Sequence, residues 1–226
     1  MLQNKSKNYL IVLALITAFN IIVLYARNAF VGDTTYNFLR WNLFLALVPL
    51  MVAVMLQYFL PRINKWIIAI GCCVWLLFYP NSPYMISDLI HVDKTDSIIL
   101  YDTLIIFSFS MLAIFYGFYS LKIIHLIFAK WMSIAKANML IIFCIVLSSF
   151  GIYLGRVLRL NSWDIFHNPM GVFHTVIDHL FPFSKNPTTY AIIFIFSTIQ
   201  FILLIMMKDM NEIEDKHFVN AKTAHE

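Results

Sequence analysis

Apolar residues in this chain gather into long stretches separated by short polar joints, and six of those stretches are candidates to cross a bilayer. Crossing about 30 Å of hydrocarbon takes about 20 helical residues at 1.5 Å each. The stretches lie at about 9–26, 41–60, 66–79, 98–121, 139–158 and 189–207. The second carries Pro49, which a membrane helix tolerates, and stops before Pro61. The third alone reaches only about 21 Å, and it breaks at Tyr79-Pro80-Asn81-Ser82-Pro83-Tyr84. Pro83 removes a backbone donor and turns Ser82 away from helical geometry. The expectation is a broken third helix that resumes toward 91, with Ser82 capping the new segment.

Residues 159–187 make the longest joint. Within it Met170, Phe173, Val176, Ile177, Leu180 and Phe181 recur at helical spacing, which predicts a short interfacial helix stopped by Pro182. The fold expected is an all-α integral membrane protein. One transmembrane domain, a bundle of about six helices over 1–207, is followed by a short polar tail at 208–226.

Composition sharpens this picture. Hydrophobic residues make up 61% of the chain and charged residues 12%, where a soluble domain carries about 25% charged. Lipid can cover that much apolar surface; a soluble fold of this size cannot. The net charge of +4 is too modest to indicate nucleic-acid binding and is more useful as a loop asymmetry. Ten of the sixteen Lys and Arg residues fall on one side of the predicted bundle, among them Lys5, Lys65, Lys122, Lys130 and Lys136. Arg27, Arg40, Lys94, Arg156, Arg159 and Lys185 fall on the other. The positive-inside rule then predicts cytoplasmic termini and an outward-facing second side. Lys5 and Lys7 before the first stretch resemble a signal peptide, but its length and the lack of an A-x-A pattern favour a retained helix. Cys72, Cys73 and Cys144 lie in apolar runs and read as small core residues.

The unusual polar chemistry is concentrated on the predicted outward side. Asp88 and His91, three apart, share a helical face. Asp102 lies one turn inside the fourth stretch, where an ionisable residue is a functional candidate by default. Arg156 is its expected partner, with Arg159 three residues on and then Asn161-Ser162-Trp163-Asp164. Three readings stay open. In the first, Asp102 with Arg156 and Asp164 with Arg159 are structural ion pairs. In the second, Asn81, Tyr84, Arg156, Arg159, Asn161 and Asp164 form a pocket that binds or transports an anionic lipid headgroup or envelope precursor. In the third, Asp88, His91 and Asp102 hold a divalent metal or act as acid and base in a membrane-embedded hydrolase or transferase. Two carboxylates and one histidine are a meagre ligand set, and no stronger catalytic motif accompanies them. A structural role in an envelope complex is a further alternative.

At these residues the chain resembles a family of bacterial membrane proteins grouped as domain of unknown function 1361. The resemblance runs from about Arg40 to Met207. It rests on Arg40-Trp41-Asn42-Leu43-Phe44-Leu45-Ala46, Pro80-Asn81-Ser82-Pro83-Tyr84 with Asp88-Leu89-Ile90-His91, Tyr101-Asp102, Gly151-Ile152-Tyr153-Leu154-Gly155-Arg156, Arg159, and Asn161-Ser162-Trp163-Asp164. It implies a multi-pass protein of a bacterial cytoplasmic membrane and brings no catalytic residue with it.

Overall fold

A single long apolar run with few interior breakers satisfies its own backbone hydrogen bonds in lipid as a helix, without needing neighbouring strands. The computed structural model describes residues 2–60, 64–92, 98–160, 164–181 and 186–223, with side chains between 8 and 206 except 165 and 166. Among these residues the ordered elements are all helical. They are α1 (Leu2–Val31), a 3₁₀ turn at Thr35–Asn37, α2 (Phe38–Phe59), α3 (Lys65–Phe78), α4 (Asn81–Tyr84) and a 3₁₀ segment at Met85–His91. Then come α5 (Ile99–Ala129), α6 (Ile134–Arg156), α7 (Asp164–His167), α8 (Pro169–Leu180) and α9 (Pro187–Thr223). Six helical spans are long and apolar enough to cross a membrane: 8–31, 35–59, 65–91, 99–129, 134–156 and 187–206. The chain is a multi-pass membrane protein.

Several helices outrun the apolar stretches. α1 continues past Ala26 because Arg27 turns into the bundle and is buried rather than marking an exit. α6 begins at Ile134, since Lys136 and Asn138 in its first turns face outward and need not leave the helix. α9 continues as helix through the polar residues after Met207, most of which are ordinary helix formers.

α5 is the central element. Most of its length is buried, and α1, α2, α4, α6 and the 3₁₀ segment pack around it. α1 and α9 leave most of their surfaces exposed. Their exposed faces carry Leu15, Phe19, Ile22, Phe194 and Ile202, as lipid contact requires.

The Pro80–His91 stretch is enclosed between α2, α5 and α6. Ser82 does not cap α4, as its position before Pro83 suggested. It lies inside that helix, and its Oγ donates to the Ala46 carbonyl of α2 at 2.9 Å. Ser110 Oγ of α5 donates to the Met85 carbonyl at 2.6 Å. Two hydroxyls thus tie the irregular backbone to its neighbours, in an environment that tolerates little unsatisfied polarity.

Close approach depends on two glycines. A Cβ on Gly117 of α5 would sit 2.7 Å from Ser82 Cβ, and one on Gly151 of α6 would sit 2.8 Å from Pro80 Cγ. Gly117→Ala is therefore expected to cost about 1–3 kcal/mol by overpacking, read as a lower melting temperature of the purified protein. Melting unchanged from the parent would show that α4 can shift freely.

A second buried chain of polar groups joins distant helices. Tyr79 Oη donates to Gln200 Oε1 of α9 at 3.0 Å, and Gln200 Nε2 donates to Ser149 Oγ of α6 at 3.0 Å. Trp75 Nε1 donates to Ser120 Oγ of α5, also at 3.0 Å.

Candidate functional site

The charged residues converge at the end of the bundle where α1 and α6 finish and α5 begins, but in different pairs from those expected. Asp102 does not meet Arg156. It receives Arg27 through two parallel bonds, Nε to Oδ1 and Nη2 to Oδ2, each 3.0 Å. Both residues are 1% exposed. Arg27 also bonds Asp33, and its guanidinium lies 4.8 Å from the Tyr36 ring centre. Asp33 sits outside the spans. The Thr35 backbone N–H, and after it the Arg27 guanidinium, hold its carboxyl below the usual carboxylate range. This group is closed: a fork meets a carboxylate and two more neighbours enclose it.

Arg156, the last residue of α6, organises the second group. Its Nε donates to Ser87 Oγ at 2.7 Å, its Nη1 to His91 Nε2 at 3.0 Å, and its Nη2 to Asp88 Oδ1. The guanidinium stacks 4.1 Å from the Tyr84 ring centre. Asn42 Nδ2 of α2 donates to Asp88 Oδ2 at 2.9 Å, so both oxygens of this buried carboxylate are engaged. His91 is exposed at the rim, with its ring edge against Phe38 at 5.3 Å. The 3₁₀ winding of Met85–His91 presents Ser87, Asp88 and His91 to one guanidinium.

These bonds fix a tautomer. A guanidinium has only donors, so His91 must accept at Nε2, which leaves its proton on Nδ1. Asp88 and His91 therefore face a cation, while Asp102 faces another. Among the described residues no group of three His, Cys, Asp or Glu side chains is gathered closely enough to hold a metal ion, and Asp88 and His91 lie on Arg156 while Asp102 lies on Arg27.

The remaining candidates are distributed as follows. Asn81 donates to the Phe78 carbonyl at 2.9 Å and so serves the end of α3. Arg159 is exposed, and its backbone is left-handed at φ 58°. Asp164 opens α7, and an Arg159–Asp164 pair is not found among the described residues. Asn161, Ser162 and Trp163 lie outside the described residues.

This arrangement of α2, the 3₁₀ segment and α6 lies within the region matched by the family described as Protein of unknown function (DUF1361), residues 41–203. The chain belongs to that family. No curated protein and no solved structure matches it. In this DUF1361 protein, Asn42, Ser87, Asp88, His91 and Arg156 all fall inside the matched region, whereas Arg27 and Asp33 precede it.

Ser87, Arg27 and Asp33 were the members that sequence reasoning gave no role. Ser87 looks like any loop serine. Arg27 follows an apolar run that stops at Ala26 and so looks like a helix exit, whereas the structure puts it one turn inside α1.

Proposed function

We propose that this protein recognises an anionic group of an envelope component, a lipid headgroup phosphate or a phosphorylated precursor, at the rim formed by Arg156, His91 and Arg159. The reading includes an orientation: both termini in the cytoplasm of a bacterium and this rim facing outward, as the Lys and Arg asymmetry supports. Residues 65–91 then make one broken crossing. α8 lies along the interface, with Met170, Phe173, Ile177 and Phe181 exposed to lipid.

The observation that carries the reading is the bracing of a partly open arginine. Arg156 is 17% exposed. Ser87, His91 and Asp88 each take one bond from Nε, Nη1 and Nη2, so one N–H remains on each Nη. A fork already held in place loses little rotamer freedom when an anion arrives. Acid–base chemistry has less support, since His91 Nε2 and both Asp88 oxygens are already occupied. Transport has less support as well, because the deep Tyr79–Gln200–Ser149 chain is closed by its own bonds.

Arg159→Gly tests the proposal cleanly. Left-handed backbone costs a non-glycine residue about 1 kcal/mol or more, so this substitution raises the melting temperature. If Arg159 contacts the anion, binding of glycerol phosphate to the purified full chain falls about tenfold, the value of one charged hydrogen bond. Calorimetric titration reads the affinity. A more stable variant that binds as the parent does, or a parent that binds no phosphate, would overturn the reading.

A further inference from the structure

The opposite, lysine-rich end of the bundle carries a feature that this reading does not use. α5 ends at Ala129, and the Trp131 and Met132 N–H groups close a tight turn on the Phe128 carbonyl at 2.9 and 3.0 Å. Met132 from this turn and Lys136, Met139, Leu140 and Phe143 from α6 line an open groove of about 350 Å³. The four α6 residues are spaced i, i+3, i+4 and i+7, so they form one stripe. From Lys136 to Phe143 it runs about 10 Å along the helix axis. Met139 is 70% and Phe143 56% exposed, so the groove opens sideways from the bundle. Lys136, which lines the groove, is exposed, as are Lys130 and Trp131, which directly precede Met132 in the turn.

We propose that this groove binds an anionic phospholipid, with one acyl chain along Met139, Leu140 and Phe143 and the phosphate at Lys136 and Lys130. The order of chemistry along α6 is that of a phospholipid: cation first, then thioether and alkyl side chains, then an aromatic ring. Tryptophan and lysine at the mouth mark the headgroup level. A water-borne anion would use the lysines and ignore 10 Å of apolar stripe. A packed partner helix would use the stripe and ignore the lysines. A lipid with a negatively charged headgroup uses both, and the unbranched Met side chains conform readily to an alkyl chain. Each lysine near the headgroup favours the anionic lipid about fivefold.

The test compares dioleoyl phosphatidylglycerol with dioleoyl phosphatidylcholine on the full chain in neutral detergent, by native mass spectrometry. The parent should retain phosphatidylglycerol at least tenfold better at low salt, and the preference should shrink as salt rises. Lys130→Gln with Lys136→Gln should bring the two lipids within about twofold. Lys130→Arg with Lys136→Arg keeps both charges and should keep the preference, which separates lost charge from lost fold. Met139→Ser with Phe143→Ser should weaken both lipids alike. Arg40→Gln, at the other end of the bundle and outside the arginine rim, should leave the ratio unchanged. Equal retention of the two lipids by the parent overturns the proposal, as does a preference that survives the double Gln change. A preference lost in Arg40→Gln would move the effect to the other end of the bundle. A dimer that covers the groove whatever the lipid charge would assign it to a second copy.

Discussion

Arg27→Ala is expected to destabilise the protein by about 3–5 kcal/mol, enough to remove most of the folded material from the membrane fraction. The reason is the carboxylate left behind. Asp102 is 1% exposed, and its two oxygens take both of their side-chain bonds from Arg27. Removing a buried cation leaves its partner charged, desolvated and unpaired. Asp102→Asn should be milder, because Arg27 keeps Asp33 and the Tyr36 face. Exchanging the two charges should restore only part of the loss, because an aspartate at position 27 would meet Asp33. Removing both charges, as Arg27→Met with Asp102→Leu, should restore more than the exchange does, since no ion is then stranded. Melting curves from fluorescence-detected gel filtration order these variants. Arg27→Ala melting within about 2 °C of the parent would mean the pair contributes little.

The second large effect concerns Arg156, and here the two partners should behave unequally. Asp88 is 1% exposed and Arg156 17% exposed. Arg156→Ala leaves a buried carboxylate bonded to Asn42 alone and should cost about 3–5 kcal/mol. Asp88→Asn leaves a guanidinium that still holds Ser87, His91 and the Tyr84 face and can reach water, so its cost should be well under half of that. Adding Asp88→Asn to Arg156→Ala should recover stability. A cycle of the four proteins measures this coupling. Equal single losses with no recovery would show that Asp88 is stabilised by something other than this arginine.

How much of this was legible in the sequence depends on what each inference required. The six apolar runs needed only length and composition, and each matches a helical span that could cross a membrane. Their ends were less legible. Arg27, Lys136 and Asn138 look like exits from a helix, yet one is buried in an ion pair and the others face outward from a continuing helix. The polar cast was largely legible too, because Asp88, Asp102 and Arg156 are conspicuous in such an apolar chain. Their pairing was not. Asp102 and Arg156 lie at similar depth, but depth is one coordinate, and the side on which α1 packs against α5 decides which arginine reaches Asp102. The link from Tyr79 through Gln200 to Ser149 spans 121 residues of sequence and leaves no local pattern.

The enclosure of the Pro80–His91 stretch has a consequence for biogenesis. α3 leaves the ribosome well before α5 and α6, and at about 21 Å it is too short to hold a stable position across the bilayer alone. The hydroxyl of Ser110 and the flat surfaces of Gly117 and Gly151, which receive the stretch, are synthesised 25 to 71 residues after the residues they contact. Until those residues are made, the Pro80–His91 part of this span lacks the partners that hold it. Its final position is then set by docking among helices as well as by partition into lipid.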